Sequence, residues 1–159
     1  MAKVLIIYYS RTGNTKKMAE YVSEGVLETG AEAIVKPVKD VKVDELLDAD
    51  GIILGSPTYY GGMAAEIKKL LDDSVKFHGR LAGKVGGAFS SSANIGGGNE
   101  TTIMDMLQAM LIHGMIIPGN DSGDHYGPVS INAPDKRAIG MCKRMGKIVG
   151  ELTMRLCEK

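Results

Sequence analysis

The stretch SRTGNT, residues 10–15, ends an apolar run and opens a helical pattern, and four of its six side chains carry hydroxyls or an amide. Ser10, Thr12, Asn14 and Thr15 can all donate hydrogen bonds, and Gly13 lets a ligand approach the backbone. A helix N-terminus directly behind such a turn adds free N–H groups and the positive end of the helix dipole, a setting that favours an anion, above all a phosphate. Ser and Thr also serve as ordinary helix caps, but four such residues in six after a buried strand point to a ligand. The segment lacks the GK[ST] of a nucleoside triphosphate loop and the G-x-G-x-x-G of a dinucleotide fingerprint. Arg11, Lys16 and Lys17 flank it and offer charge for a second anion, such as the phosphates of a nicotinamide nucleotide; as plain surface charges they would be a solvated face.

Two further stretches have the composition of a ring-binding site. GSPTYYGGM, residues 55–63, sets Tyr59 and Tyr60 between Pro57-Thr58 and the paired glycines Gly61 and Gly62, in a chain with only six Tyr, two Phe and no Trp. Two adjacent aromatics in a turn offer a flat face for stacking, unless one folds back on the core. SSSANIGGGNE, residues 90–100, is rich in backbone donors and suits the edge of a heterocycle bearing carbonyls and ring nitrogens. No pair of His, or of Cys and His, has metal-ligand spacing, and no G-x-S-x-G nucleophile elbow occurs. Met104, Met106, Met110 and Met115 fall at core spacing. His113, just before Gly114, has the position of a C-terminal dipole partner.

The elements that must position these loops can be read from periodicity. Apolar runs at 3–9, 32–37, 50–55, 84–90 and 115–118 read as strands, the first and third apolar almost throughout, as strands covered on both faces must be. Helical patterns occupy 14–29, with Met18, Tyr21, Val22, Val26 and Leu27 on one inward face, and 43–48, 63–76, 100–113 and 134–157. Strand–helix alternation to the end implies an α/β fold, an open and mostly parallel sheet with helices on both faces. In the order 2-1-3-4-5, one of two orders that fit, ligands bind between the first and third strands at their carboxyl ends. The three unusual loops follow strands one, three and four.

Bulk composition is compatible with one domain over 1–159. Nineteen basic residues balance nineteen acidic ones, which argues against a nucleic-acid partner. Glycine, at 21 residues, exceeds the usual share of about 7% and clusters in the loops. Cys142 and Cys157 would lie about 22 Å apart along one helix, so both are expected as free thiols in a reducing compartment, the cytoplasm. No apolar run approaches membrane-spanning length, and no cleavable leader is expected after Lys3.

Together the loops resemble the flavodoxin-like superfamily, along nearly the whole chain, and within it the WrbA family of FMN-dependent NAD(P)H:quinone oxidoreductases. The residues that carry the likeness are MAKVLIIYYS, ILGSPTYYGGM, GKVGGAFSSSANIGGGNET and HGMIIP. The resemblance implies a flavodoxin-like three-layer sandwich with a five-stranded parallel sheet of order 2-1-3-4-5. It further implies that Ser10, Arg11, Thr12, Gly13, Asn14 and Thr15 hold the FMN phosphate. Pro57, Thr58, Tyr59, Tyr60 and Gly61 would line the isoalloxazine, and Ser91, Ser92, Ala93, Asn94, Ile95, Gly96 and Gly97 its polar edge and the ribityl chain. His113 would reach the flavin site, and Phe77 and His78 stand nearest to the aromatic position of the substrate pocket. A hydride would pass from NAD(P)H through FMN to a quinone-like acceptor; the alternative is a flavodoxin-type electron carrier. The chain departs from the WrbA pattern in its flavodoxin-type phosphate loop, in the short segment between strands two and three and in the brief 119–133 loop. A homodimer and a homotetramer both stay open.

Overall fold

The structure, a computed structural model describing residues 1–158, contains a five-stranded parallel sheet in the order β2-β1-β3-β4-β5. Its strands are β1 (Lys3–Tyr8), β2 (Glu32–Pro37), β3 (Gly51–Pro57), β4 (Val85–Ser92) and β5 (Val129–Ile131). The helices are α1 (Asn14–Leu27), α2 (Glu45–Asp48), α3 (Ala65–Asp73), α4 (Asn99–Ile112) and α5 (Lys136–Cys157). Side chains alternate across a strand, and in β1 both sets are apolar. Leu5 and Ile7 join a core with residues of α3 and α4, while Val4, Ile6 and Tyr8 join a second core with α1 and α5. Helices therefore cover both faces, which is why β1 and β3 read as unbroken apolar runs. Among the described residues no helix is long and apolar enough to cross a membrane.

The α1 stripe is Thr15, Met18, Ala19, Val22, Gly25 and Val26. Leu27, expected inward, is 58% exposed, because α1 meets α5 through small residues. A Cβ on Gly25 would lie 2.0 Å from the Lys143 carbonyl oxygen, and one on Gly146 would lie 2.0 Å from that of Val22. The helices thus cross at backbone contact. Cys142 is buried in this core, where desolvation pushes its thiol pKa up to about 12. Cys157 is exposed, and both cysteines are free.

The fifth strand corrects the sequence reading. Residues 115–118 form no full strand; Ile116 makes a single bridge to Val85, its N–H donating to the Lys84 carbonyl at 2.9 Å. The chain then leaves the sheet at Pro118 and Gly119 and returns as β5, where Val129, Ser130 and Ile131 pair with Ser90, Ser91 and Ser92. Proline cannot donate to the ladder, and the excursion is pinned from outside. The Asp124 carboxylate accepts from the Val129 N–H at 2.9 Å and from Arg137 of α5 at 2.7 Å. Gly127 lies so close to β4 that a Cβ there would be 2.0 Å from the Ala88 carbonyl oxygen.

Candidate functional site

The loops after β1, β3 and β4 converge at the carboxyl edge of the sheet, where the strand order reverses beside β1. Ties between them are short. Tyr9 N–H donates to the Gly55 carbonyl at 3.0 Å, and Thr58 N–H to the Ser91 carbonyl at 2.8 Å. The Thr15 and Ser91 hydroxyls, 76 positions apart in sequence, meet at 3.0 Å in a buried setting. The Thr102 hydroxyl donates to Thr58 Oγ1 at 3.0 Å, and Thr58 Oγ1 lies 3.2 Å from Ser90 Oγ. Buried hydroxyls must be satisfied, and here they satisfy one another across loop boundaries, fixing the three loops as one body.

Within that frame the first loop keeps its donors open. Ser10 Oγ accepts from the Gly13 N–H at 3.1 Å, which closes the turn. Gly13, at φ 96°, precedes α1 without any side-chain cap on the helix, and Gly98, at φ 103°, does the same for α4. By contrast Asp135 caps α5, accepting from the Ala138 N–H at 2.8 Å. The helices that follow the three loops, α1, α3 and α4, all start without a side-chain cap, and exposed Thr12 adds a hydroxyl at the first of them. A phosphate dianion fits this donor set.

The second loop resolves the two tyrosines. Tyr59 turns back: its ring packs edge-on against Tyr9 at 6.1 Å, with the Arg11 guanidinium 5.5 Å from its centroid. Burial raises the Tyr59 phenol pKa, with Arg11 pulling the other way. Tyr60 sits in the left-handed region at φ 49° and is fully exposed. Ile95, in the third loop, is 91% exposed. Thr101 of α4 clasps the two loops, donating to the Gly61 carbonyl at 2.6 Å. A Cβ on Gly98 would fall 2.9 Å from Gly61 Cα, so only a bare backbone permits this approach. Exposed aromatic and aliphatic side chains flanking an open glycine turn fit a planar ring.

Several expected site residues have other places. Pro57 is the last residue of β3, paired with Ser91, and Ser91 and Ser92 are buried strand residues. The Ser92 hydroxyl donates to the Asn94 carbonyl at 2.9 Å and accepts from the Asn99 amide at 3.2 Å. These serines brace the rim that Ala93, Asn94, Ile95, Gly96 and Gly97 expose. Ser90, part of the 90–100 stretch, belongs to the same bracing, as do Thr101 and Thr102, which the sequence reading did not single out; their signal was only proximity to the glycines.

His113 does not reach this cluster in its own chain, and neither do Phe77 and His78. Helix α4 starts at the crevice and runs 14 residues away from it, about 21 Å at the standard rise. His113 therefore lies at the amino edge of the sheet, beside the Gly83–Gly114 hydrogen bond. Its Nε2 lies 2.8 Å from Ser74 Oγ, which itself donates to the Leu71 carbonyl at 2.6 Å, so the imidazole donates and Nδ1 is left buried without a partner. Phe77 is buried close by, and the His78 ring lies 6.3 Å from that of His113. Burial first, then His78, lowers the His113 pKa, so the fold holds the neutral imidazole. The unfolded chain takes up the proton near pH 6.5. Stability contributed by this group is present above that pH and falls as pH drops below it towards the folded pKa. The urea midpoint of the wild type is expected to decline between about pH 7.5 and 5.5, and less steeply in His113→Gln. Equal slopes would exclude His113 as the cause.

Comparison with known proteins agrees with this fold. A family model described as NADPH-dependent FMN reductase matches residues 2–126. An NAD(P)H dehydrogenase (quinone) of Archaeoglobus fulgidus is 36% identical over 191 aligned residues, covering 99% of this chain and all of that one. A flavodoxin of Aquifex aeolicus is 39% identical over 160 residues, covering 95% of this chain and 86% of its own. Among solved structures, a flavodoxin, WrbA-like protein from Agrobacterium tumefaciens superposes with a TM-score of 0.82 at 26% identity, covering 98% of this chain and 99% of that one. With its 2-1-3-4-5 sheet and three loops convergent at the carboxyl edge, the chain belongs to the NADPH-dependent FMN reductase family, an FMN-linked oxidoreductase on the WrbA-like side of the flavodoxin-like superfamily.

Proposed function

We propose that this protein is an NAD(P)H:quinone oxidoreductase, one flavodoxin-like unit that holds FMN at the carboxyl edge of its sheet and works in a reducing compartment, the cytoplasm. The observation that carries the reading is the single rigid frame made by three loops. It presents an uncapped helix start to a phosphate and an exposed Tyr60–Ile95 rim to a ring. FMN would supply the two-electron chemistry, accepting a hydride from the nicotinamide and passing the electrons to the acceptor.

The chain's own residues bind and orient. Ser10, Thr12, Asn14, Thr15 and the first N–H groups of α1 would hold the phosphate, with Gly13 allowing the close approach. Thr58, Tyr60 and Gly61 would border one side of the ring and Ala93 to Gly97 its polar edge, where backbone N–H groups stabilise negative charge. Tyr59 is a positioning residue: packed between Tyr9 and Arg11, it fixes the turn that carries Tyr60. Tyr60→Ala is expected to weaken FMN binding by about 1–3 kcal/mol with an unchanged melting temperature, because Tyr60 makes no packing contact to lose. Tyr59→Ala is expected to lower the melting temperature as well. The two measurements are a fluorescence titration with FMN and thermal unfolding of the apoprotein. Undiminished FMN affinity in Tyr60→Ala would remove this residue from the site.

A second reading, a flavodoxin-type carrier, draws on the Aquifex aeolicus relative. Net charge is zero, and the exposed side of the Tyr60–Ile95 rim leaves room for a nicotinamide to stack, which favours the reductase. Anaerobic titration of the FMN-loaded protein with NADPH and then NADH decides between them. Loss of the visible flavin band, restored by a quinone, is the reductase result. A loaded flavin that responds to neither nucleotide is the carrier result.

A further inference from the structure

A cleft of about 730 Å³ opens not over Tyr60 and the 93–97 rim but on the other flank of the Ser10–Gly13 turn. Its cause is local. After β2 the chain makes only a short 3-10 turn, Val38–Asp40, and the four-residue α2, so the sheet face between this segment and α3 is left partly uncovered. Tyr8, Pro37, Val38, Val41 and Leu70 give an apolar floor. Its volume falls within the range of about 300–1,000 Å³ usual for small-ligand sites.

Polar groups ring that floor in two kinds. Arg11, Lys16 and Lys39 line the cleft and make no ion pair among the described residues, whereas Lys69 is held by Asp73 at 2.7 Å. The carboxylates of Asp40 and Glu66 also line it. Cations for phosphates, acceptors for ribose hydroxyls and an apolar floor with a Tyr9 ring at its wall match an adenosine diphosphate group. A simple anion would not need the carboxylates, and an apolar ligand would not need the cations. Ser10, Arg11 and Gly13 border both this cleft and the phosphate turn, so a ligand here would lie alongside the flavin site.

We propose that this cleft binds the adenosine diphosphate half of the dinucleotide reductant, its phosphates against Arg11, Lys16 and Lys39, while the nicotinamide reaches over the turn to the ring site. This assignment rests on the oxidoreductase reading above. Its test uses ADP-ribose, which lacks the nicotinamide and reports binding without turnover, titrated calorimetrically into FMN-loaded protein. Saturable binding is expected, weakened at least about fivefold in Lys39→Glu and kept in Lys39→Arg. Lys39 is exposed, so folding and FMN affinity are expected to persist in both variants. The Michaelis constant for NADPH should rise in parallel in Lys39→Glu. No binding of ADP-ribose, or equal binding by wild type and Lys39→Glu, overturns the cleft assignment even if NADPH still reduces the flavin. Charge-sensitive ADP-ribose binding without reduction of the flavin by either nucleotide supports the adenylate site and overturns the oxidoreductase reading instead.

Discussion

Thr12→Glu is expected to raise the FMN dissociation constant at least about 100-fold, equivalent to about 2.8 kcal/mol. A carboxylate about 4 Å from a phosphate near a protein surface is repelled by about 4 kcal/mol per unit charge, less what salt screens. Thr12 lies in the turn that precedes the uncapped start of α1, and it is exposed. The substitution therefore costs the apoprotein little, within about 0.5 kcal/mol for a surface site. Riboflavin, which lacks the phosphate, is the control: its affinity should be the same for wild type and variant. Thr12→Ser should bind FMN nearly as wild type. An equal loss for riboflavin and FMN would mean that the turn holds some other part of the ligand.

The second large effect concerns the fold alone and compares one change at two places on the same helix. Gly146→Ala is expected to destabilise the apoprotein by about 3 kcal/mol, the upper part of the usual range for overpacking. For a domain of this size that lowers the melting temperature by about 6–12 °C. The new methyl would meet the Val22 carbonyl oxygen at 2.0 Å, with Val26 N at 3.0 Å, and backbone of a packed helix cannot step aside as a side chain can. Gly140→Ala, six residues earlier on α5, meets nothing within 4 Å. There the gain in helix propensity should stabilise by about 0.5–1 kcal/mol. Urea unfolding of both variants checks the pair. Matching effects would show that α1 and α5 do not cross at backbone contact.

These contrasts mark where sequence reasoning stops. Gly140 and Gly146 look alike in the sequence, both glycines within one helical pattern. What separates them is the approach of α1, whose Gly25 makes the reciprocal contact with Lys143. A stripe of apolar residues signals that a helix face is buried, but glycine in that stripe carries no hydrophobic signal. Leu27 shares the apolar periodicity of α1 yet faces outward: periodicity locates a face, and the partner's shape decides its width.

The alternating elements and the three crevice loops were legible because each has a local physical cause, while the choice between two strand orders came from the resemblance. Apolar runs buried on both faces, alternating with amphipathic helices, leave few topologies, and donor-rich turns at helix starts have few uses besides anions. The resemblance added the flavin. The sequence did not disclose which of two adjacent tyrosines faces outward, since that depends on Tyr9 and Arg11 closing over Tyr59. Nor did it disclose that the fifth strand is split, because Met115–Pro118 has strand composition and lacks only a continuous partner along β4.

What the sequence determined by itself was therefore the local chemistry: a donor-rich turn at 10–15, an aromatic and glycine turn at 57–61, a Ser- and Gly-rich stretch at 91–97 and the elements that carry them. The tertiary structure decided everything that depends on two distant segments meeting. It joined Thr15 to Ser91, clasped Gly61 to Thr101, sent His113 with Phe77 and His78 to the opposite edge, and opened the cleft beside Arg11 and Lys39. The physical reason is range. Propensity, capping and turn chemistry act over a few residues and leave their mark in composition. Hydrogen bonds and close approaches between remote segments are set by the packing of whole helices on the sheet, and no short window of sequence contains them.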